Sequence, residues 1–180
     1  KKYQISHKDH FKIKRYCKKK KIEFISSPFD NESAKFLCKK LKLKIIKIPS
    51  GEITNYPLLK YLSQFSVKII LSTGLSNMAE INDAIKILNV KKSNLTLLHC
   101  NTAYPTPIND VNMLAMLEMK KKFNCDVGYS DHTLGSNAAV VATSLGAQII
   151  EKHITLNTKD KGPDHKASLN KKSFVKFVKL

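Results

Sequence analysis

The sequence predicts an α/β fold: a (β/α)8 TIM barrel, present in these 180 residues as a partial barrel of about six β/α units. Three observations predict it. Short β-type runs recur, their starts roughly 20 to 30 residues apart, the length of one strand plus one crossover helix. Helix-like patterns fill the gaps, and strands alternating with helices argue for parallel units. Polar residues of a functional kind close almost every strand: Ser27; Lys47, Ser50 and Glu52; Ser72 and Thr73; Asn101, Thr102 and Tyr104; Ser130, Asp131 and His132; then His153. A doubly wound sheet concentrates its site at one switch point, whereas a barrel collects residues from many strand ends into one ring.

The elements follow in order. Strands are expected at Glu23–Ser27, Lys44–Ser50, Val67–Thr73, Leu95–Asn101, Asp126–Ser130 and Gln148–Thr155. The first helix pattern, His10–Lys21, is strongly basic. Asn31–Leu41 puts Ala34, Leu37, Cys38 and Leu41 on one helix face. Tyr56–Phe65 carries Pro57 in its first turn, where a missing N–H costs nothing. Asn77–Leu88 lines up Met78, Ile81, Ile85 and Leu88, and Asp110–Phe123 has Asn109 or Asp110 as a cap. Gly135–Leu145 is small and apolar, suited to close packing on a sheet. Leu169–Leu180 begins a further helix without a closing cap. Six units fall short of eight, so two more are expected before Lys1 and further sequence after Leu180.

Composition narrows the function classes. Thirty-two Lys+Arg against fourteen Asp+Glu give a formal charge of +18, which suggests a nucleic-acid partner. All but Arg15 are Lys, however, and base readout and bidentate phosphate contacts favour Arg. The charge reads as a solvated outer surface that could also concentrate anionic substrates. Nucleic acid is therefore not expected as a partner; no apolar run is long enough to span a bilayer and no signal peptide is visible, so no membrane is expected either. Cys17, Cys38, Cys100 and Cys125 are far apart and read as reduced thiols of a cytoplasmic protein.

Several constellations could carry chemistry. His132 and His153, on consecutive strands, would reach one rim, where two neutral imidazoles can bind a divalent metal. The competing reading is a pair of hydrogen-bonded barrel histidines, with Asp131 satisfying His132. Lys47 with the hydroxyls of Ser27, Ser50, Ser72 and Ser130 would suit a phosphate or carboxylate; serines are also common loop starters. In 99–107 two prolines stiffen the exit around Tyr104, Cys100 reads as a small apolar packing group, and His99 has no evident role. In 161–168, Asp164, His165 and Lys166 follow a Gly-Pro turn, which reads either as a rim or as a solvated turn.

Taken together, these segments resemble the sialic acid synthase family, the bacterial N-acetylneuraminate synthases. The matching stretches are FISSPFD (24–30), KIPSGEITNYPLL (47–59), ILSTG (70–74), HCNTAYPTPINDVN (99–112), GYSDHTLG (128–135), IIEKHITL (149–156) and KGPDHKASL (161–169). They keep the family's order and cover nearly the whole chain. Relatives making legionaminic or pseudaminic acid share much of the set, and the SGE, GYSDHTLG and GPDHKAS forms look closer to the neuraminate and legionaminate members.

The resemblance implies an enzyme that condenses phosphoenolpyruvate with N-acetylmannosamine to give N-acetylneuraminate and phosphate. Another acylated hexosamine would take that place in a legionaminate or pseudaminate synthase. It implies a barrel followed by a small C-terminal antifreeze-like domain over a partner's site in a homodimer, and a divalent cation, Mn2+ or Mg2+. On this resemblance His132 and His153 are the metal ligands. Lys47, Ser27, Ser50, Ser72 and Ser130 form the phosphoenolpyruvate cradle, and Glu52, Tyr104 and Asp164 contact the sugar. The family's rim Asn follows a Thr; here the order is Asn101-Thr102, which leaves that place open between the two. Because the first strands and the lid are expected outside the chain, the 180 residues alone are expected to be inactive. The different-class alternative is a basic, non-catalytic β/α module that binds an anion or nucleic acid.

Overall fold

The structure, a computed structural model, describes residues 4–180. Five strands form one parallel sheet in the order of the sequence: β1 Ile45–Ile48, β2 Lys68–Ser72, β3 Leu95–Cys100, β4 Asp126–Asp131 and β5 Ile150–Lys152. Each strand pairs with the next in sequence after a helical crossover, and the sheet curls into a half-barrel. The helices are α1 His7–Lys19, α2 Asn31–Lys35, α3 Tyr56–Leu62, α4 Met78–Leu88, α5 Leu114–Phe123 and α6 Asn137–Ser144. Two short strands, β6 Ile154–Thr155 and β7 Leu169–Asn170, pair in parallel beside the sheet, and α7 Lys171–Val178 follows.

Strand alternation sorts the side chains into two faces. Ile46, Ile48, Ile69, Leu71, Leu95, Leu97, Val127 and Tyr129 belong to one buried cluster with helix residues Leu58, Leu62, Ile81, Leu88 and Met116. The intervening positions, Lys47, Ile70, Ser72, Leu98, Cys100, Gly128 and Ser130, point to the concave face. That face is the inside of the half-barrel, and its upper row is polar. Gly128 is needed there: a Cβ would run into the Ile149 carbonyl of the neighbouring strand and lie 2.7 Å from Leu98.

Several expected elements are corrected. The strand at 23–27 shrinks to one parallel bridge, Ser26 with Ile46. The helix at 31–41 ends its α-helical part at Lys35 and continues as a π-turn over Phe36–Lys40, closed by Leu41 N–H donating to the Phe36 carbonyl. The widened turn keeps Leu37 and Leu41 both in the core. Neither Asn109 nor Asp110 caps α5, which starts only at Leu114. The reason is that β3 takes the preceding loop: Asn101 Nδ2 donates to the Asp110 carbonyl at 2.7 Å, and His99 Nε2 donates to the Val111 carbonyl at 2.7 Å. The strand at 148–155 breaks at His153, where the Leu169 N–H reaches the His153 carbonyl and draws β6 into its own small ladder. Leu169 and Asn170 are therefore strand, and Asn170 Oδ1 caps α7 by accepting from Ser173 N.

Candidate active site

The strands deliver the polar row to one mouth. In the register Cys100 lies beside Ser130, and Ser130 beside Glu151, all on the concave face. Lys47, nine-tenths buried, reaches across that face to Glu151 Oε2 at 3.6 Å. Ser130 Oγ donates to Glu151 Oε1 at 2.6 Å and lies 3.2 Å from His132 Nε2. A cavity of about 330 Å³ opens beside them, lined by Ser26, Ser27, Lys47, Ile70 and Glu151 among others. Glu151 was not singled out from the sequence. The signal was available: it stands two residues before His153, hence on the same face of the strand.

His132 and His153 stand together, with ring centroids 5.2 Å apart and ring planes at 87°. Tyr104 packs on both, 4.1 Å from the His132 ring and 5.6 Å from that of His153. His132 Nδ1 donates to the Asn101 carbonyl at 2.5 Å, which fixes the tautomer and leaves the Nε2 lone pair on the concave side. Burial pulls the pKa of His132 below its ordinary value of 6.5, against an opposing contribution from that carbonyl. The ring is therefore held neutral, the form a metal needs. His153 is one-third exposed and has Asp164 Oδ2 3.8 Å from its Nδ1. The alternative in which Asp131 satisfies His132 does not hold: Asp131 points to the helix side, and the Asn101 carbonyl takes its place.

The two imidazoles are the side chains that would hold a divalent ion at this mouth. Among the described residues no cluster of three or more His, Cys, Asp or Glu is built to hold a metal by protein ligands alone.

The remaining candidates divide. Ser72 Oγ is buried on the concave face without a hydrogen-bond partner among the described residues. Ser50 Oγ accepts from Gly74 N at 2.9 Å and touches Cys100 Sγ at 3.2 Å, bracing the loop after β2 against β1. A Cβ on Gly74 would lie 2.9 Å from both Ser50 Oγ and the Thr102 methyl, so this corner is closely packed. Asn101 turns its amide to the Asp110 carbonyl, away from the mouth, while Thr102 is exposed at the rim. Glu52 accepts from Asn55 Nδ2 at 2.6 Å at the start of α3. Burial raises the Tyr104 pKa, so its hydroxyl remains a donor.

The chain as a whole has known relatives. The NeuB family profile matches residues 1–180. The chain belongs to the NeuB family. It is 51% identical over 171 residues to an N,N'-diacetyllegionaminic acid synthase of Campylobacter jejuni, covering 93% of this chain and 51% of that protein. It is 34% identical to an N-acetylneuraminate-9-phosphate synthase of Drosophila melanogaster, covering 92% of this chain and 45% of that one. Among solved structures, an N-acetylneuraminic acid synthetase from Leptospira borgpetersenii superposes with a TM-score of 0.92 at 35% identity, covering 98% of this chain and 61% of the other. A Thermotoga maritima DAHP synthase superposes at 0.77 with 16% identity over 96% of this chain and 53% of that one, which shows the fold alone. The chain spans about half the length of the curated relatives it matches. No described helix of this NeuB-family chain is long and apolar enough to cross a membrane.

Proposed function

We propose that this chain forms the working face of a synthase that joins phosphoenolpyruvate to an N-acylated hexosamine and releases phosphate. C3 of phosphoenolpyruvate bonds to the sugar's aldehyde carbon, water adds at C2, and the C2–O bond to phosphate breaks. The observation that carries the reading is the concave row of Lys47, Ser130, Glu151, His132 and His153, with Tyr104 over the two rings.

Lys47 brings a desolvated cation to the cavity, where its attraction for an anion is strong because water is excluded. Glu151 holds that ammonium and the Ser130 hydroxyl in advance, so little reorganisation is needed when phosphoenolpyruvate arrives. The unpartnered Ser72 hydroxyl and the Ser27 side chain in the cavity wall supply further hydrogen bonds to the anion. Ser50 contributes by fixing the loop after β2. His132 and His153 would hold a Mn2+ or Mg2+ ion, which would supply Lewis-acid polarisation of the sugar aldehyde. Tyr104, Glu52, Asp164 and Thr102 would meet the sugar hydroxyls and acyl group.

N-acetylmannosamine, giving N-acetylneuraminate, is one acceptor. The hexosamine that yields N,N'-diacetyllegionaminic acid is the second, favoured by the 51% identity to a synthase of that product. A homodimer is supported by a collar of exposed apolar side chains around the mouth, Leu75, Ile108, Leu134 and Leu156, which a covering partner would bury. The test is phosphate release from phosphoenolpyruvate across a panel of acylated hexosamines, with these residues in a chain of full family length. Turnover with one acceptor and not the others fixes the product. Salt-sensitive DNA binding without phosphate release would favour the non-catalytic basic module instead.

A further inference from the structure

Behind the two imidazoles, on the helix side of the sheet, lies a second charged pair. Asp131 Oδ2 accepts from Lys152 Nζ at 2.9 Å, and the two side chains are 0% and 1% exposed. Asp131 Oδ1 accepts from both Thr133 N at 2.9 Å and Thr133 Oγ1 at 2.7 Å. Lys152 Nζ also donates to the Thr133 carbonyl at 2.5 Å. Asp131 and Lys152 are direct neighbours in the β4–β5 register. The residues that follow them are His132 and His153.

We infer that Asp131 and Lys152 are a positioning pair: by locking β4 to β5 at the last step of the ladder, they set the spacing of the two imidazoles. The inference rests on the metal-site reading for its consequence, but its geometry is metal-free. As a source of stability a fully buried ion pair is poor, since apolar residues of similar volume often do as well. It supplies something apolar residues do not, a directional fix of register. That fix matters here because β5 has only three residues and ends the five-stranded sheet. A one-residue slip would turn His153 from the concave face to the helix side. Ser130 and Glu151 tie the same two strands from the concave side, one residue earlier in each. The rings therefore stand just beyond a two-sided clamp. Thr133 extends it by closing the turn after His132 onto both charges.

The test uses D131N/K152M, which removes both charges together and avoids stranding one. The primary readout is the nuclear Overhauser contact between the His132 and His153 ring protons in the metal-free protein. The second is Mn2+ affinity from water-proton relaxation. The contact is expected in the wild type and lost in the double variant, with Mn2+ affinity lowered about tenfold or more. Lys152→Arg, which can still donate to Asp131 and Thr133, should keep both. If the double variant does not fold, Asp131→Glu decides: it retains the charge but adds a methylene, and should lose the ring contact. Retention of the contact in the folded double variant, or in Asp131→Glu where that variant decides, overturns the positioning pair. A wild type that shows the contact but takes up no Mn2+ leaves the pair standing and defeats the metal reading.

Discussion

His99 and His132 sit on neighbouring strands with opposite facings, and their surroundings give them different work. His132 faces the mouth with its Nε2 3.2 Å from Ser130 Oγ; His99 lies in the helix-side layer, tilted beside Tyr129 at 5.8 Å, with its Nε2 on the Val111 carbonyl. Burial lowers the His99 pKa below 6.5. The unfolded chain therefore binds a proton more readily than the folded one between the lowered value and about 6.5. His99 thus contributes stability that is present above that window and is lost as the pH falls through it. His132, lowered by burial too, acts in the same direction. Urea unfolding from pH 8 to 5 should show stability declining with acid, and His99→Gln should flatten part of that decline. An equal slope in the variant would remove His99 from the account. The sequence placed His132 just past a strand end, and alternation placed His99 on the face opposite to Cys100. It did not disclose their partners, because main-chain carbonyls such as those of Asn101 and Val111 leave no mark in residue identity.

Helices and strands were legible where a local pattern decides them. α4 begins one residue after Asn77, whose side chain and that of Glu80 form a capping box, and it ends at Asn89 in a left-handed conformation. Pro57 stands near the start of α3, as its geometry favours. The misread boundaries share a physical cause: there a distant element takes the backbone groups. β3 side chains occupy the loop before α5, and Leu169 pairs with His153 across a loop. Glu151 was missed although it stands two residues before His153 and so shares its facing. The β4–β5 junction also carries a firm prediction. Gly128→Ala would drive a methyl into the Ile149 carbonyl, and the backbone on that side has no slack. Overpacking of this kind should cost about 3 kcal/mol, measured by equilibrium urea unfolding. A cost below about 1 kcal/mol would mean that the strands separate more easily than this packing implies.

For the molecule as a whole, the five-stranded parallel sheet with helices on one side explains why the candidate residues converge although they are spread from Ser27 to Asp164. The +18 formal charge is not what builds the site: among the described residues the one Lys sunk into the concave face is Lys47, held 3.6 Å from Glu151. The remaining charge can raise the encounter rate with an anionic substrate, an effect that salt should screen. The central claim is that Lys47 and its hydroxyls hold phosphoenolpyruvate while His132 and His153 serve the sugar aldehyde. Its most direct measurement is Mn2+-dependent phosphate release from phosphoenolpyruvate and an N-acylated hexosamine, with and without His132→Ala, in a chain of full family length. The account predicts release with His132 present and its loss, by about a thousandfold or more, in the variant. Release that persists in the variant with the same dependence on Mn2+ would contradict it.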